Sequence, residues 1–520
     1  MTSTRTSHRT SHRTTYRAAG FIAALTTTAM LGSGIDPAVA TGRTVPGTSG
    51  DGDAVAQTVF HPGSRGLGDS YFPKLGNGGY DVQHYGLQLS YNPRTHHLGG
   101  SNRITARATQ NLSRFDLDLT GYRVDRVTVD GAQAAFRRAG QELVVTPSVG
   151  LPRGQVFDVK VWYAGVPRTI KGSPIVFGSD YGWRYTPDGA FVGCEPNAAH
   201  TWYPSNDHPS DKARFTFAIT VPSSRKVVAN GDLVSRHRHH HHTTFVWDER
   251  QPMATYLATL GIGRWQFHRT TTPGGIPEFS AVDPHNATRA RQQHVIGLSG
   301  RVTDFWSRTF GQYPFSSTGA IVDYVRNVGF SLETQTRPLY GFAPDQGTIS
   351  HELAHQWFGD SVSVRRWKHI WLNEGFATFA SWLWFEHLGG ASTWRDTKQV
   401  YNQIPAKNRF WRQSIADPKR NTMFSGAVYV RGAMTLGALR HKIGRTAMRT
   451  LLRTWAAEHR HGTVTTQEFI SLANHVSGQD LTPFFRAWLW RQHKPALPAA
   501  KGAGTPSRTA LQKLSYGFFG

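Results

Sequence analysis

Residues 348–360 read TISHELAHQWFGD, and the two histidines four apart in this stretch govern how the rest of the chain is read. On a helix, positions i and i+4 share a face, so the His351 and His355 imidazoles can converge on one ion. Glu352 follows the first imidazole and is within reach of a water at that ion as a general base. The apolar flanks Ile349, Trp357 and Phe358 put this helix, expected over His351–Phe358, in an interior where unpaired polar groups are costly. A divalent cation is the partner such a buried triplet needs. A catalytic zinc takes three protein groups and leaves a position for water, so a third ligand is required. Residues 371–379, WLNEGFATF, offer Glu374 inside a second apolar, helix-like stretch.

Outward from these two stretches the pattern divides. From about Tyr71 apolar and polar residues alternate at period two: Tyr85, Leu87, Leu89 and Tyr91, then Phe115, Leu117 and Leu119, then Val127 and Val129 ahead of the turn Asp130-Gly131. This predicts a largely antiparallel β domain over 69–265, with hairpin turns such as Asn230-Gly231. The run HRHHHH (237–242) stands between strand-like Lys226–Val234 and Thr243–Asp248. It is expected as a solvated hairpin tip, because consecutive imidazoles on a turn hold no fixed metal geometry. Beyond about residue 285 helical spacing dominates. Arg445–His459 and Gln467–Val476 carry apolar residues three and four apart, and Thr465 with Glu468 makes a capping box before the second. The fold class is therefore α+β, with a β-rich N-terminal part followed by a second part over 266–498 in which helical patterning dominates beyond about residue 285.

At 520 residues and 38% hydrophobic, the chain can bury more than one core. Its 16 Trp, 17 Tyr and 29 Phe exclude a wholly disordered chain, and no fixed period marks a solenoid or propeller. The 58 Lys+Arg against 34 Asp+Glu leave a net charge of +24. The arginines are dispersed, without the stripe a reader of bases would show. The charge is read as solubility and loose association with anionic polymers, with no specific nucleic-acid partner. The single cysteine, Cys194, excludes an intramolecular disulfide and reads as a small buried hydrophobe.

Arg5, Arg9, Arg13 and Arg17 precede a modestly apolar stretch, Ala18–Leu31, and the small-x-small step Ala38-Val39-Ala40. That order predicts a secretory signal peptide over 1–40 and a secreted, extracellular location. Thr26, Thr27 and Thr28 interrupt the stretch, and no later apolar run approaches the ~20 residues of a membrane helix, so no stable membrane anchor is expected. A Gly/Ser/Thr-rich linker over 41–68 and a flexible tail over 499–520 complete the division.

With eighteen residues between His355 and Glu374, the two stretches together resemble the gluzincin aminopeptidases of the aminopeptidase N and leukotriene hydrolase family. PMATYLAT (252–259), NDHPSDKARF (206–215) and FGQYPF (310–315) match as well, so the similarity runs from about Tyr80 to about Pro498. The resemblance implies a short secreted zinc aminopeptidase. A β-rich sandwich or saddle domain would cover a thermolysin-like zinc-peptidase domain with closing C-terminal helices. Such a short form, without the large helical-repeat domain of longer members, is expected to have a more open cleft.

The same resemblance implies one Zn2+ held by His351, His355 and Glu374. Glu352 would act as base and proton shuttle while metal-activated water removes N-terminal residues from peptides. The family's tyrosine before a Lys-Gly or Arg-Gly step is matched by Tyr429 in VYVRGA (428–433), a donor to the developing oxyanion. Recognition of a free α-ammonium falls to Glu333, in the segment similar to the family's Gly-x-Met-Glu-Asn loop, and to Glu195 in Gly193-Cys194-Glu195-Pro196. Two residues depart from the loop pattern. Phe330 stands where the family usually has glycine, which implies a narrowed entry at the first substrate position, and Thr334 stands where it has asparagine.

Two rival readings keep part of this set. A secreted zinc endopeptidase needs the metal, Glu352 and a transition-state donor but no amine anchor. A basic polyanion-binding protein with a decayed site would keep only the fold. An epoxide-hydrolase activity, known in one branch of the family, has no dedicated support in these residues.

Overall fold

Alternating Tyr85, Leu87, Leu89 and Tyr91 lie on Tyr80–Asn92, near the middle of an eight-stranded sheet. In order, its strands are Asp232–His239, His242–Ala254, Lys212–Pro222, Tyr80–Asn92, His97–Ala108, Val156–Gly165, Arg123–Val129 and Ala132–Gln133. Neighbours run antiparallel except Lys212–Pro222 beside Tyr80–Asn92. The computed structural model of the chain describes residues 59–284, 289–323 and 330–498. The signal peptide expected over 1–40, most of the linker over 41–68, the tail over 499–520 and Gly329 of the substrate loop lie outside these residues.

The structure corrects four details of the sequence reading. The linker ends before Gly68. His61–Pro62 pairs in parallel with Leu112–Asp118, Arg65 binds Asp116 at 2.9 Å, and the buried Asp69 accepts from the Trp367 amide at 3.0 Å. Backbone pairing and buried carboxylates hold this apolar-poor segment. In Leu112–Asp118 the polar positions Asp116 and Asp118 are buried too. Asp118 accepts from the Gly76 and Asp207 amides, so alternation names the apolar face without exposing the other.

Asn230-Gly231 closes no hairpin. Lys226–Ala229 pairs with Leu260–Gly263 in a five-stranded sheet, whereas Asp232–His239 pairs with His242–Ala254, so the turn carries the chain between sheets. The fourth correction follows from this pairing. His237–His239 belong to a strand and His242 to its partner, which leaves only His240 and His241 at the tip.

A separate mixed sheet follows, in the order Gln266–Thr271, Pro277–Val282, Thr318–Val322, Leu339–Tyr340 and Ser331–Leu332. Against it pack α1 (Arg289–Phe310) and α2 (Gln346–Ala354), and α2 packs on α3 (Trp371–His387). Next in the chain are α4 (Thr393–Gln403), α5 (Gly432–Ile443), α6 (Arg445–Glu458) and α7 (Thr466–Ser477). The capping box forms as read: Thr465 Oγ1 accepts from the Glu468 amide and the Glu468 carboxylate accepts from the Thr465 amide. Among the described residues these elements form one compact unit. One continuous apolar core runs from Tyr71 to Leu489, through both the β sheets and the helices.

Candidate functional site

Asp345 caps α2, its side chain accepting from the Thr348 amide at 2.7 Å. The helix ends at Ala354, short of the Phe358 the spacing suggests, and His355 is its C-cap with helical dihedrals. The His355 amide still donates to the His351 carbonyl, so the two imidazoles keep one face. Their Nε2 atoms lie 3.1 Å apart and sit 3.3 Å (His351) and 3.5 Å (His355) from Glu374 Oε2.

This triangle tests the metal reading. Ligand bonds of 2.0–2.2 Å in a tetrahedral zinc site put donor atoms about 3.3–3.6 Å apart. The observed edges of 3.1, 3.3 and 3.5 Å match one face of such a tetrahedron closely. The His355 Nδ1–H donates to the Phe358 carbonyl at 3.0 Å, which leaves the Nε2 lone pair facing the triangle. Gly359 makes the turn beyond it (φ +138°), and a Cβ there would lie 3.1 Å from His355 Nδ1. The donor set therefore fits a zinc ion.

A close helix crossing brings the remaining groups in. Gly375 of α3 and Gly432 of α5 meet backbone to backbone: a Cβ built on Gly432 would lie 2.6 Å from the Gly375 Cα. Glu374 precedes one glycine. Tyr429, in the π-helical turn Ala427–Arg431, lies three residues before the other. The Tyr429 ring stacks on His351 with centroids 6.0 Å apart and an interplanar angle of 18°. Buried Arg431 fixes this turn by donating to the carbonyls of Trp411, Gln413, Ala487, Trp488 and Arg491.

All seven residues singled out by the sequence meet here. Carboxyl oxygens of Glu195, Glu333 and Glu374 lie within 4.8 Å of one another, as do ligand atoms of Glu333, Glu352 and His355. Four acids in one buried cluster resist ionising together. Burial and the neighbouring carboxylates push Glu195 well above the usual carboxylate range, and burial does the same to Glu352. Burial, opposed by His355, raises Glu333 to about 7. At Glu374 burial also acts upward, but the imidazoles of His355 and His351 prevail and hold it at about 2. Oε1 of both Glu195 and Glu333 is buried without a hydrogen-bond partner among the described residues. Such a cluster favours cations. The Tyr429 phenol is pushed far up by burial and by Glu374, Glu195, Glu333 and Glu352, so it stays protonated and able to donate.

Phe330 packs against the core, and its ring lies 3.7 Å from where a Cβ on Gly193 would stand, two residues before Glu195. Cys194 is fully buried and free, a small hydrophobe as read. Sequence reasoning passed over three residues beside the cluster. Tyr256, in PMATYLAT, is buried with its phenol raised by burial and by Glu333 and Glu195. Gln356 follows His355 and bonds the Glu333 carbonyl at 3.1 Å. Asp360 is wholly buried, and Lys212 Nζ donates to its backbone carbonyl at 2.7 Å. All three lie inside stretches already quoted, so the stretches were found but not the work of each letter.

Comparison with known proteins agrees with this geometry. The family described as "Peptidase M1 N-terminal domain" matches residues 81–257, and "Peptidase family M1 domain" matches residues 343–488. The crystal structure of an M1 zinc metallopeptidase from Deinococcus radiodurans superposes with a TM-score of 0.76 at 30% identity, covering 84% of this chain and 100% of that one. A mutant of that enzyme bound to a Tyr-Ser-Ala substrate superposes with a TM-score of 0.75 at 29% identity, covering 84% and 99%. Leucyl aminopeptidase of Saccharolobus solfataricus is 24% identical over 472 residues, 84% of this chain and 57% of that protein. Aminopeptidase N of Lactobacillus helveticus is 24% identical over 454 residues, 81% of this chain and 52% of that protein. The chain thus spans about half the length of these curated relatives. With both its β-rich part and its two-histidine helix matched, the chain belongs to the peptidase M1 family.

Proposed function

We propose that this chain is a zinc-dependent aminopeptidase that hydrolyses single residues from peptides with a free N-terminus. The observation that carries the reading is the group Glu195, Glu333 and Glu374, three carboxyls within 4.8 Å beside the two imidazoles. An endopeptidase has no use for surplus buried acid there. An α-ammonium does, because it neutralises carboxylates that otherwise repel one another. The names of the aminopeptidase relatives and the Tyr-Ser-Ala complex support the same substrate class.

In this reading His351, His355 and Glu374 hold one Zn2+, which supplies a Lewis acid and lowers the pKa of water to about 7. Glu333 and Glu195 hold the substrate ammonium and so orient the first peptide carbonyl. Glu352 takes the proton from the attacking water and returns it to the leaving amine. A carboxyl pushed upward by burial suits both halves of that task. The Tyr429 phenol donates to the oxygen on which charge develops. Blocked N-termini are turned away, because an acetyl group leaves the buried carboxylates without a cation.

The order of the first forty residues supports secretion, and the net charge of +24 supports loose association with anionic polymers. The test is one peptide assayed with free and with acetylated N-terminus, together with metal analysis. Cleavage of both forms at equal rates would replace this reading with the endopeptidase, and zinc-independent turnover would end it.

A further inference from the structure

Glu333 is held in place by a fully buried clamp that starts one residue after a proposed metal ligand. Gln356, next to His355, uses both ends of its amide. Its Nε2 donates to the Glu333 carbonyl at 3.1 Å, and its Oε1 accepts from the Thr336 amide at 2.8 Å. The segment between them is closed by Thr334, whose Oγ1 donates to the Arg337 carbonyl at 2.6 Å. From the β-rich part, Asn230 Nδ2 donates to the Gln335 carbonyl at 2.9 Å, and the Gly231 amide donates to Thr336 Oγ1 at 2.9 Å.

Thr336 has φ +70°. A β-branched residue rarely takes this left-handed conformation, and it persists only where the surroundings over-determine it. Here they do. The Thr336 amide, hydroxyl and neighbouring carbonyl are all engaged, and Gln356, Thr336 and Asn230 are fully buried. The Asn230-Gly231 turn that fails to close a hairpin therefore has a second use, as the β-side jaw of this clamp.

We infer that Gln356 is a positioning residue for substrate recognition: through Thr336 it sets where the Glu333 carboxyl stands relative to the His351–His355 pair, and so how tightly a free amine is bound. The inference rests on the proposed role of Glu333 as amine anchor. Among the described residues the side-chain hydrogen bonds of Gln356 run to Glu333, Thr336 and Tyr313 and none to the imidazoles, so losing it moves the anchor and leaves the ligand triangle intact.

The test is a double-mutant cycle on Gln356→Met and Glu333→Gln, with KM and kcat measured on aminoacyl chromogenic substrates and zinc counted per chain. Gln356→Met is expected to raise KM at least five-fold, change kcat less, and keep one zinc. The double variant is expected to fall within about two-fold of Glu333→Gln in kcat/KM, because a displaced anchor cannot be lost twice. Losses that multiply, or loss of zinc from Gln356→Met, overturn the inference while leaving Glu333 as anchor. A Glu333→Gln variant with parental KM overturns both the anchor and the clamp's purpose. If Gln356→Met does not fold, Thr336→Val removes only the hydroxyl, which accepts from the Gly231 amide and from the Arg337 guanidinium. It should show the same KM-weighted loss, and an unchanged KM there also refutes the inference.

Discussion

Alanine at Gly432 would push a methyl into the tightest backbone crossing of the site. Its Cβ would lie 2.6 Å from the Gly375 Cα, whereas ordinary contact begins near 3.4 Å, so the two segments must part by about 0.8 Å. Both partners are backbone, and no side chain can swing aside to make room. The strain therefore falls on α3 and on the turn carrying Tyr429. Overpacking of this kind costs about 1–3 kcal/mol, enough to lower Tm by a few degrees without unfolding the chain.

Activity should respond far more steeply. Glu374 lies one residue from Gly375 and Tyr429 three from Gly432, so the crossing sets the distance between a proposed metal ligand and the proposed oxyanion donor. A misplacement of about 1 Å at reacting groups costs on the order of a hundred-fold in rate. Gly432→Ala is expected to keep its fold and most of its zinc, to melt a few degrees lower, and to lose between ten- and a hundred-fold in kcat. Melting curves, zinc per chain and kcat on one aminoacyl substrate measure the three effects. Parental kcat in a folded Gly432→Ala would show that the crossing does not set the site geometry.

The remaining predictions probe individual groups. Glu352→Gln should retain zinc and lose about 10²–10⁴-fold in kcat, whereas His355→Ala should lose zinc as well; metal analysis of the two variants separates base from ligand. Tyr429→Phe should lower kcat by about 10²–10³-fold with little change in KM, and an unchanged kcat removes the phenol from the mechanism. Burial, then Lys368, hold the His369 imidazole at about 4 against an ordinary 6.5. The unfolded chain thus binds the extra proton between pH 6.5 and 4, and stability present above pH 6.5 is lost as pH falls through that window, by about 3 kcal/mol. Melting temperatures from pH 7 to 4.5 should fall more steeply for the parent than for His369→Gln, and parallel curves would refute this.

What the sequence disclosed depended on how local each constraint is. One helical turn fixes His351, Glu352 and His355 within five residues, so spacing alone announces them. The Thr465–Glu468 capping box is equally local and forms as written. Asn230-Gly231 dictates a tight turn but cannot say which strands it joins, because that depends on Leu260–Gly263 and His242–Ala254 pairing in different sheets. Asp116 and Asp118 occupy the polar phase of an alternating strand. Arg65 and the Gly76 and Asp207 amides, brought in from elsewhere, help make their burial tolerable.

The same distinction divides the site into two kinds of residue. The proposed metal-binding donors need chemistry at a point, and chemistry at a point is written in residue type: imidazole, imidazole, carboxylate. Recognition of an amine needs carboxyls at a set distance from that point. Glu195 and Glu333 come from segments 138 positions apart and reach Glu374 only through sheet, loop and helix together. Distance is supplied by amides and hydroxyls such as Gln356 and Thr336, residue types that are common everywhere and become informative only once their partners are seen. A substitution at His355 should therefore abolish the chemistry, whereas one at Gln356 should leave the chemistry and loosen the choice of substrate.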